Sequence, residues 1–80
     1  MYFKDAWIDL ARVEIQRQNF IEAKKYLGVA NYIDENDFRY YYYQGLIAKN
    51  QGLKQDAAYN FKKTLLLNPN YQPAKEELNL

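Results

Sequence analysis

Apolar residues recur three and four positions apart along most of this chain, in blocks separated by short polar runs. Trp7, Leu10 and Ala11 lie on one stripe with Glu14, and Ile8 and Ile15 lie on a neighbouring strip. Ala23, Tyr26, Leu27, Ala30 and Ile33 make a second stripe. Tyr41, Gly45 and Ala48 make a third, and Ala57, Phe61, Thr64 and Leu65 a fourth. This spacing puts side chains on one face of an α-helix. The breaks carry turn chemistry. Gly52, in Asn50-Gln51-Gly52-Leu53, suits a left-handed helix C-terminus. Asp37, ending the acidic run from Asp34, suits an N-cap. Pro69, between Asn68 and Asn70, cannot continue a helix. The pattern predicts five helices, at about 4–17, 20–33, 38–51, 54–67 and 72–79. Their short connections make sequential helices antiparallel neighbours. Tyr40 to Tyr43 has strand propensity but no alternation, so the predicted fold class is all-α.

The blocks are also similar to one another. Sliding the sequence along itself until Trp7 lies on Tyr41 also lays Ala11 on Gly45, Val13 on Ile47, Ala23 on Ala57, Leu27 on Phe61 and Ala30 on Thr64. Size is kept where two helices of a unit approach closely, and Trp7, Tyr41, Leu27 and Phe61 are suited to fill the space around those contacts. The order aromatic, small residue, Ala, large apolar residue, small residue, Pro resembles the tetratricopeptide repeat family. The second unit carries it in Tyr41, Gly45, Ala57, Phe61 and Pro69. The first carries it in Trp7, Leu10, Ala11, Ala23, Leu27 and Ala30. Departures fall at Glu14, Gln18, Glu35, Gln44, Ala48 and Thr64; the residue at 35 would be a proline in the family pattern, which leaves the joint between units less constrained. The resemblance implies a right-handed superhelical stack of antiparallel helix pairs over residues 1–80. Repeat one would span about 4–37, repeat two about 38–71, and a closing helix about 72–80. Tyr2-Phe3 looks like the tail of a preceding unit, and Ala74 and Leu78 repeat Ala6 and Leu10, so the chain reads as a fragment of a longer array or as an array with a capping helix.

Composition narrows the chemistry. Eleven basic and ten acidic residues leave a net charge of +1, no footprint for nucleic acid or an anionic membrane. There is no cysteine and no histidine, which removes disulfides and the commonest metal ligand and general base. No nucleophile–base pair stands out, so no catalytic, cofactor or metal residue is assigned. The run Asp34 to Asp37 lacks the glycine and distant glutamate of a calcium loop and reads as turn and cap. The lysine pairs Lys24-Lys25 and Lys62-Lys63 read as a solvated outer face. No apolar run is long enough to span a membrane, and the N-terminal residues lack the order of a signal peptide.

Nine tyrosines, four phenylalanines and one tryptophan are the unusual feature. In the family, first helices line a concave groove for a peptide. By position, the resemblance implies a groove of Asp5, Ile8, Asp9 and Arg12 from the first unit. Arg39, Tyr42, Tyr43, Leu46 and Lys49 come from the second. Ile15, Gln16 and Asn50 stand beside them, with Glu76 from the closing helix. Tyr42 and Tyr43 would be aromatic anchors and Arg12, Arg39 and Lys49 cationic edges; the alternative for both tyrosines is packing against the closing helix. The lysine–asparagine clamp by which some family members grip a chaperone carboxylate is absent, since Ile8 and Arg12 occupy its places. The expected function is non-catalytic binding of a peptide or partner protein. The alternative is self-assembly through the open ends of the stack, around Tyr2, Phe3, Leu78 and Leu80.

Overall fold

The computed structural model describes residues 3–80. They form five helices, α1 Lys4–Gln16, α2 Phe20–Ile33, α3 Phe38–Asn50, α4 Lys54–Leu67 and α5 Gln72–Glu77. The protein is all-α, 77% helical, with no strand among the described residues. First helices start at Lys4, Phe38 and Gln72, and second helices at Phe20 and Lys54, each series at one constant interval. That interval is also the shift that lays Trp7 on Tyr41.

Three helices end slightly before their expected limits, for a common local reason. Gln18, Gly52 and Asn79 adopt left-handed backbone, with φ of 62°, 76° and 61°. The residue after each turns back onto the helix it leaves: Asn19 N–H donates to the Glu14 carbonyl, Leu53 to Ala48, and Leu80 to Lys75. These bonds satisfy carbonyls that the helix end would otherwise leave unpaired. Glycine supplies the left-handed conformation without a Cβ clash at one of the three positions; Gln18 and Asn79 adopt it despite their side chains.

Within each hairpin the helices run antiparallel and meet through small residues. Ala11, Ile15, Ala23, Leu27 and Ile47 form one buried cluster, with Phe20, Tyr26, Tyr40 and Tyr43 packed against it. Ala48, Ala57, Phe61 and Ala74 form the other, with Tyr42, Leu46, Leu65, Tyr71 and Leu78 around them. A Cβ added at Gly45 would lie 2.6 Å from the Phe61 ring, so the absence of a side chain is what lets the ring lie against α3. The thinnest extent of the molecule is 16 Å. That leaves room for two helix layers at their usual spacing of about 8–10 Å, which is why alanines are prominent among the core residues.

The two hairpins are joined by apolar packing, in which Tyr40 and Tyr43 of α3 lie against the first cluster, and by an ionic rim. Ile47 reaches from α3 into the cluster of the first hairpin and is 1% exposed. At the rim, Lys4 pairs with Asp34 and Asp37, Arg39 with Asp37 at 2.7 Å, and Arg39 also with Asp5. Asp34 accepts from the Asn36 N–H at 3.0 Å, closing an Asx turn, and Asp37 accepts from the Arg39 N–H as N-cap of α3. Asp34 and Asp37, on either side of Glu35, thus build the joint.

Candidate functional site

The face shared by α1, α3 and the start of α5 is built around tyrosines. Tyr42 and Tyr43 are consecutive on α3 and their rings meet edge to face at 5.4 Å. Tyr71, the N-cap residue of α5, closes on Tyr42 at 5.1 Å and on Phe38 at 4.7 Å. Edge-to-face contacts such as those of Tyr42 with Tyr43 and Tyr71 favour defined ring angles. Lys49 and Glu77 bridge α3 to α5 at 2.7 Å. On α1, Arg12 and Asp9 form a loose pair at 3.8 Å.

Burial raises the pKa of these phenols above the ordinary 10.0. It is the main cause that pushes Tyr42 up to about 12, and the nearby Tyr71 and Glu77 add to it. Burial also raises Tyr43 and Tyr71, while Arg39 pulls both the other way. Each tyrosine hydroxyl can act as a hydrogen-bond donor as well as an acceptor. Two of the cations are already engaged. Arg39 is held protonated by hydrogen bonds from its guanidinium to Asp37 and Asp5, and Lys49 is held by Glu77. The face combines tyrosines with neutralised ion pairs, and among its cations Arg12 has the most distant partner.

The residues expected to line a groove divide into two groups. Asp5, Asp9, Arg12 and Lys49 are exposed, and Arg39 and Leu46 half-buried, as a surface site requires. Ile8, at 2% exposure, and Ile15, at 9%, are enclosed instead. They turn inward because α1 uses that strip, with Ala11, to pack on its neighbours, so neither side chain is available to a ligand. Tyr42 and Tyr43 are both half-buried, and the packing alternative describes much of their contact: Tyr42 against Phe61 at 5.8 Å and Tyr71, Tyr43 against the first cluster. Among the packing residues, Ala11, Ala23, Leu27, Ala30, Gly45, Ala57 and Phe61 are buried. Trp7 is half-buried against Tyr26, Tyr41 lies under the Lys63 ammonium, and Pro69 sits in the exposed turn before α5. Leu10 is 44% exposed, so it is only partly covered. Tyr2 lies outside the described residues, and Phe3 and Leu80 are exposed.

Phe38, Tyr71 and Glu77 belong to this face and were not expected there. The repeat register carries a signal for Glu77, which falls on Tyr43, itself a groove position. Nothing local distinguishes Tyr71, whose counterparts before α3 and α1 are Asp37 and Phe3. Among the described residues no three histidine, cysteine, aspartate or glutamate side chains stand together as a metal site, and no helix is long and apolar enough to cross a membrane. In comparisons with known proteins, no family model, no curated protein and no solved structure matches this chain.

Proposed function

We propose that this chain is a non-catalytic protein-interaction module of the tetratricopeptide type, stacked as a right-handed superhelix, that binds a peptide segment across the α1–α3–α5 face. The observation that carries the reading is the set of half-buried tyrosines 42, 43 and 71, whose rings pack together at one face. The constant interval between helix starts and the matching turns at Gln18 and Gly52 support the family assignment. Rigid aromatic rings give contact area at little entropic cost, and hydroxyls can bond a peptide backbone. Since Arg39 and Lys49 are already paired, the ligand is an electrically mixed segment with an aromatic or aliphatic anchor, and not a strongly acidic one.

Peptides selected from a random displayed library should perturb the amide signals of Arg12, Tyr43 and Leu46 on titration. Arg12→Ala combined with Tyr43→Phe leaves the packing in place and should weaken such peptides roughly tenfold or more. Peptides that instead perturb Tyr32, Tyr59 and Lys62 on the outer helices, or that bind the double variant unchanged, would overturn the assignment.

A further inference from the structure

The outer helices α2 and α4 hold large apolar side chains in solvent. Ile21, Lys25, Gly28 and Tyr32 follow one another at helical spacing on one strip of α2, and all are exposed. Gln55, Tyr59, Lys62 and Leu66 hold the equivalent places on α4 and are exposed as well. Tyr32 is 88% exposed, Leu66 76% and Ile21 75%. The second hairpin packs on the first without covering Tyr32, so this strip faces away from the direction in which the hairpins stack. A recess of about 150 Å³ lies between the two outer helices, sided by Lys24 of α2 and Asn60 of α4 and reaching Ile47 of α3.

Charge and one glycine say what this face fits. Five of the eleven basic residues stand on α2 and α4, against two of the ten acidic ones, so these helices carry +3 and the rest of the chain −2. Lys24 and Lys62 form no ion pair among the described residues. Lys25 has the exposed Glu22 at 3.3 Å, a surface pair of the kind that contributes little and is readily exchanged. Gly28 stands within α2, where glycine is a poorer helix former than any residue but proline. Yet a Cβ built there meets nothing within 4 Å, so internal packing does not call for glycine as it does at Gly45. What Gly28 leaves is bare backbone between Ile21 and Tyr32, where a crossing helix can approach more closely than side chains otherwise allow.

We infer that the outer face is a second docking site, for an amphipathic helix of a partner protein with an aliphatic face and acidic flanks. That helix crosses α2 at Gly28. Its aliphatic residues lie on Ile21 and Tyr32 to either side, and its carboxylates meet Lys25 and, across the recess, Lys62. Ile21 and Tyr32 are separated by about 16 Å of helix with a lysine between them, which suits separate anchors for a helix and not a ridge that inserts into lipid. A strongly acidic ligand is the class that the tyrosine face does not favour, so the inference goes beyond that reading and does not depend on it.

The probe is a designed helical peptide with one leucine face flanked by glutamates. On titration it should shift the amide signals of Lys25, Gly28 and Tyr32 and leave those of Arg12 and Leu46 in place. Gly28→Leu places its side chain in open space and is a better helix former, so it should hold or raise the unfolding midpoint while weakening the peptide roughly tenfold or more. Lys25→Glu combined with Lys62→Glu should weaken it at least as far, about tenfold. The chain carrying Arg12→Ala and Tyr43→Phe should bind it as the unmodified chain does, which keeps failure here separate from failure at the tyrosine face. No saturable shift at Gly28, or an affinity that survives Gly28→Leu, would sink the inference. Cosedimentation with vesicles of phosphatidylcholine and phosphatidylserine, lost in the double lysine variant while the peptide gives no shift, would reassign the face to a membrane surface.

Discussion

Ala11 and Leu27 share the core of the first hairpin; at the corresponding positions of the second stand Gly45 and Phe61. One methyl is lost on the first helix of the pair and a ring is gained on the second, so the filled volume is conserved while its division changes. Interiors are packed closely enough that such exchanges must be made together. The helix starts have a parallel contrast. Residues 3, 37 and 71 precede α1, α3 and α5, but only Asp37 caps its helix with its side chain; Phe3 and Tyr71 are aromatic and do not. The lesson is that corresponding positions keep a geometric role while the chemistry that meets it differs between hairpins.

The largest expected effect comes from forcing the second hairpin away from its solution. Gly45→Leu should destabilise the protein by about 3 kcal/mol or more, because even a Cβ there meets a ring that is 3% exposed and enclosed. Ala11→Gly at the corresponding site removes a methyl without a clash. Thermal unfolding that moved equally in both variants would erase the contrast between the hairpins.

A double-mutant cycle sharpens it. Gly45→Ala alone should cost about 1–3 kcal/mol from overpacking, partly offset by alanine's better helix propensity. Combined with Phe61→Leu, it recreates the Ala–Leu pair of the first hairpin and should recover a large part of that loss, a coupling of about 1 kcal/mol or more. Strictly additive effects in denaturant titrations would show that the two positions do not trade volume.

The caps differ in their response to acid. Burial opposes ionisation of Asp37, but hydrogen bonds from the Arg39 side chain and backbone outweigh it and hold the carboxyl at about 2, below its ordinary 3.8. A depressed carboxyl stabilises the fold fully above its unfolded value, and that stability is lost as pH falls from 3.8 toward 2. Solvent screening at the rim reduces the contribution to about 1–2 kcal/mol. Asp37→Asn should therefore destabilise at pH 7, and the difference from the unmodified protein should shrink as pH falls below 3.8 and be mostly gone by about 2, tested by denaturant midpoints across that range. A difference that persists undiminished at pH 2 would mean that Asp37 acts by packing and not by charge.

The smallest effect belongs to the turns. Gln18 and Gly52 share a left-handed backbone that costs a side chain about 1 kcal/mol. Gln18→Gly should stabilise by roughly 0.5 kcal/mol once glycine's extra unfolded-state freedom is counted, read as a small rise in unfolding midpoint.

The number of helices, where each begins and where each turn falls were legible in the sequence, because they rest on contacts three and four residues apart and on turn residues such as Gly52, Asp37 and Pro69. The seam was legible for the same reason: Ala11, Gly45, Ala23 and Ala57 are small where helices must approach. What the sequence left open was which neighbour covers each flank of a helix. Periodicity gives Ile8 and Ile15 a strip on α1 but does not say whether that strip meets α2, α3 or a ligand, and the structure encloses both. The tyrosine run gives four rings on α3, but Tyr71, from beyond the fourth helix, is what pins Tyr42. Arg39 reads as a free cation until the fold brings Asp5, from the preceding hairpin, against it. Leu10 shares a stripe with Trp7 and Ala11, yet the fold leaves it 44% exposed. These outcomes depend on pairs of residues far apart in the chain, whose energies are set by the stacking of whole helices and carry no local spacing to be read.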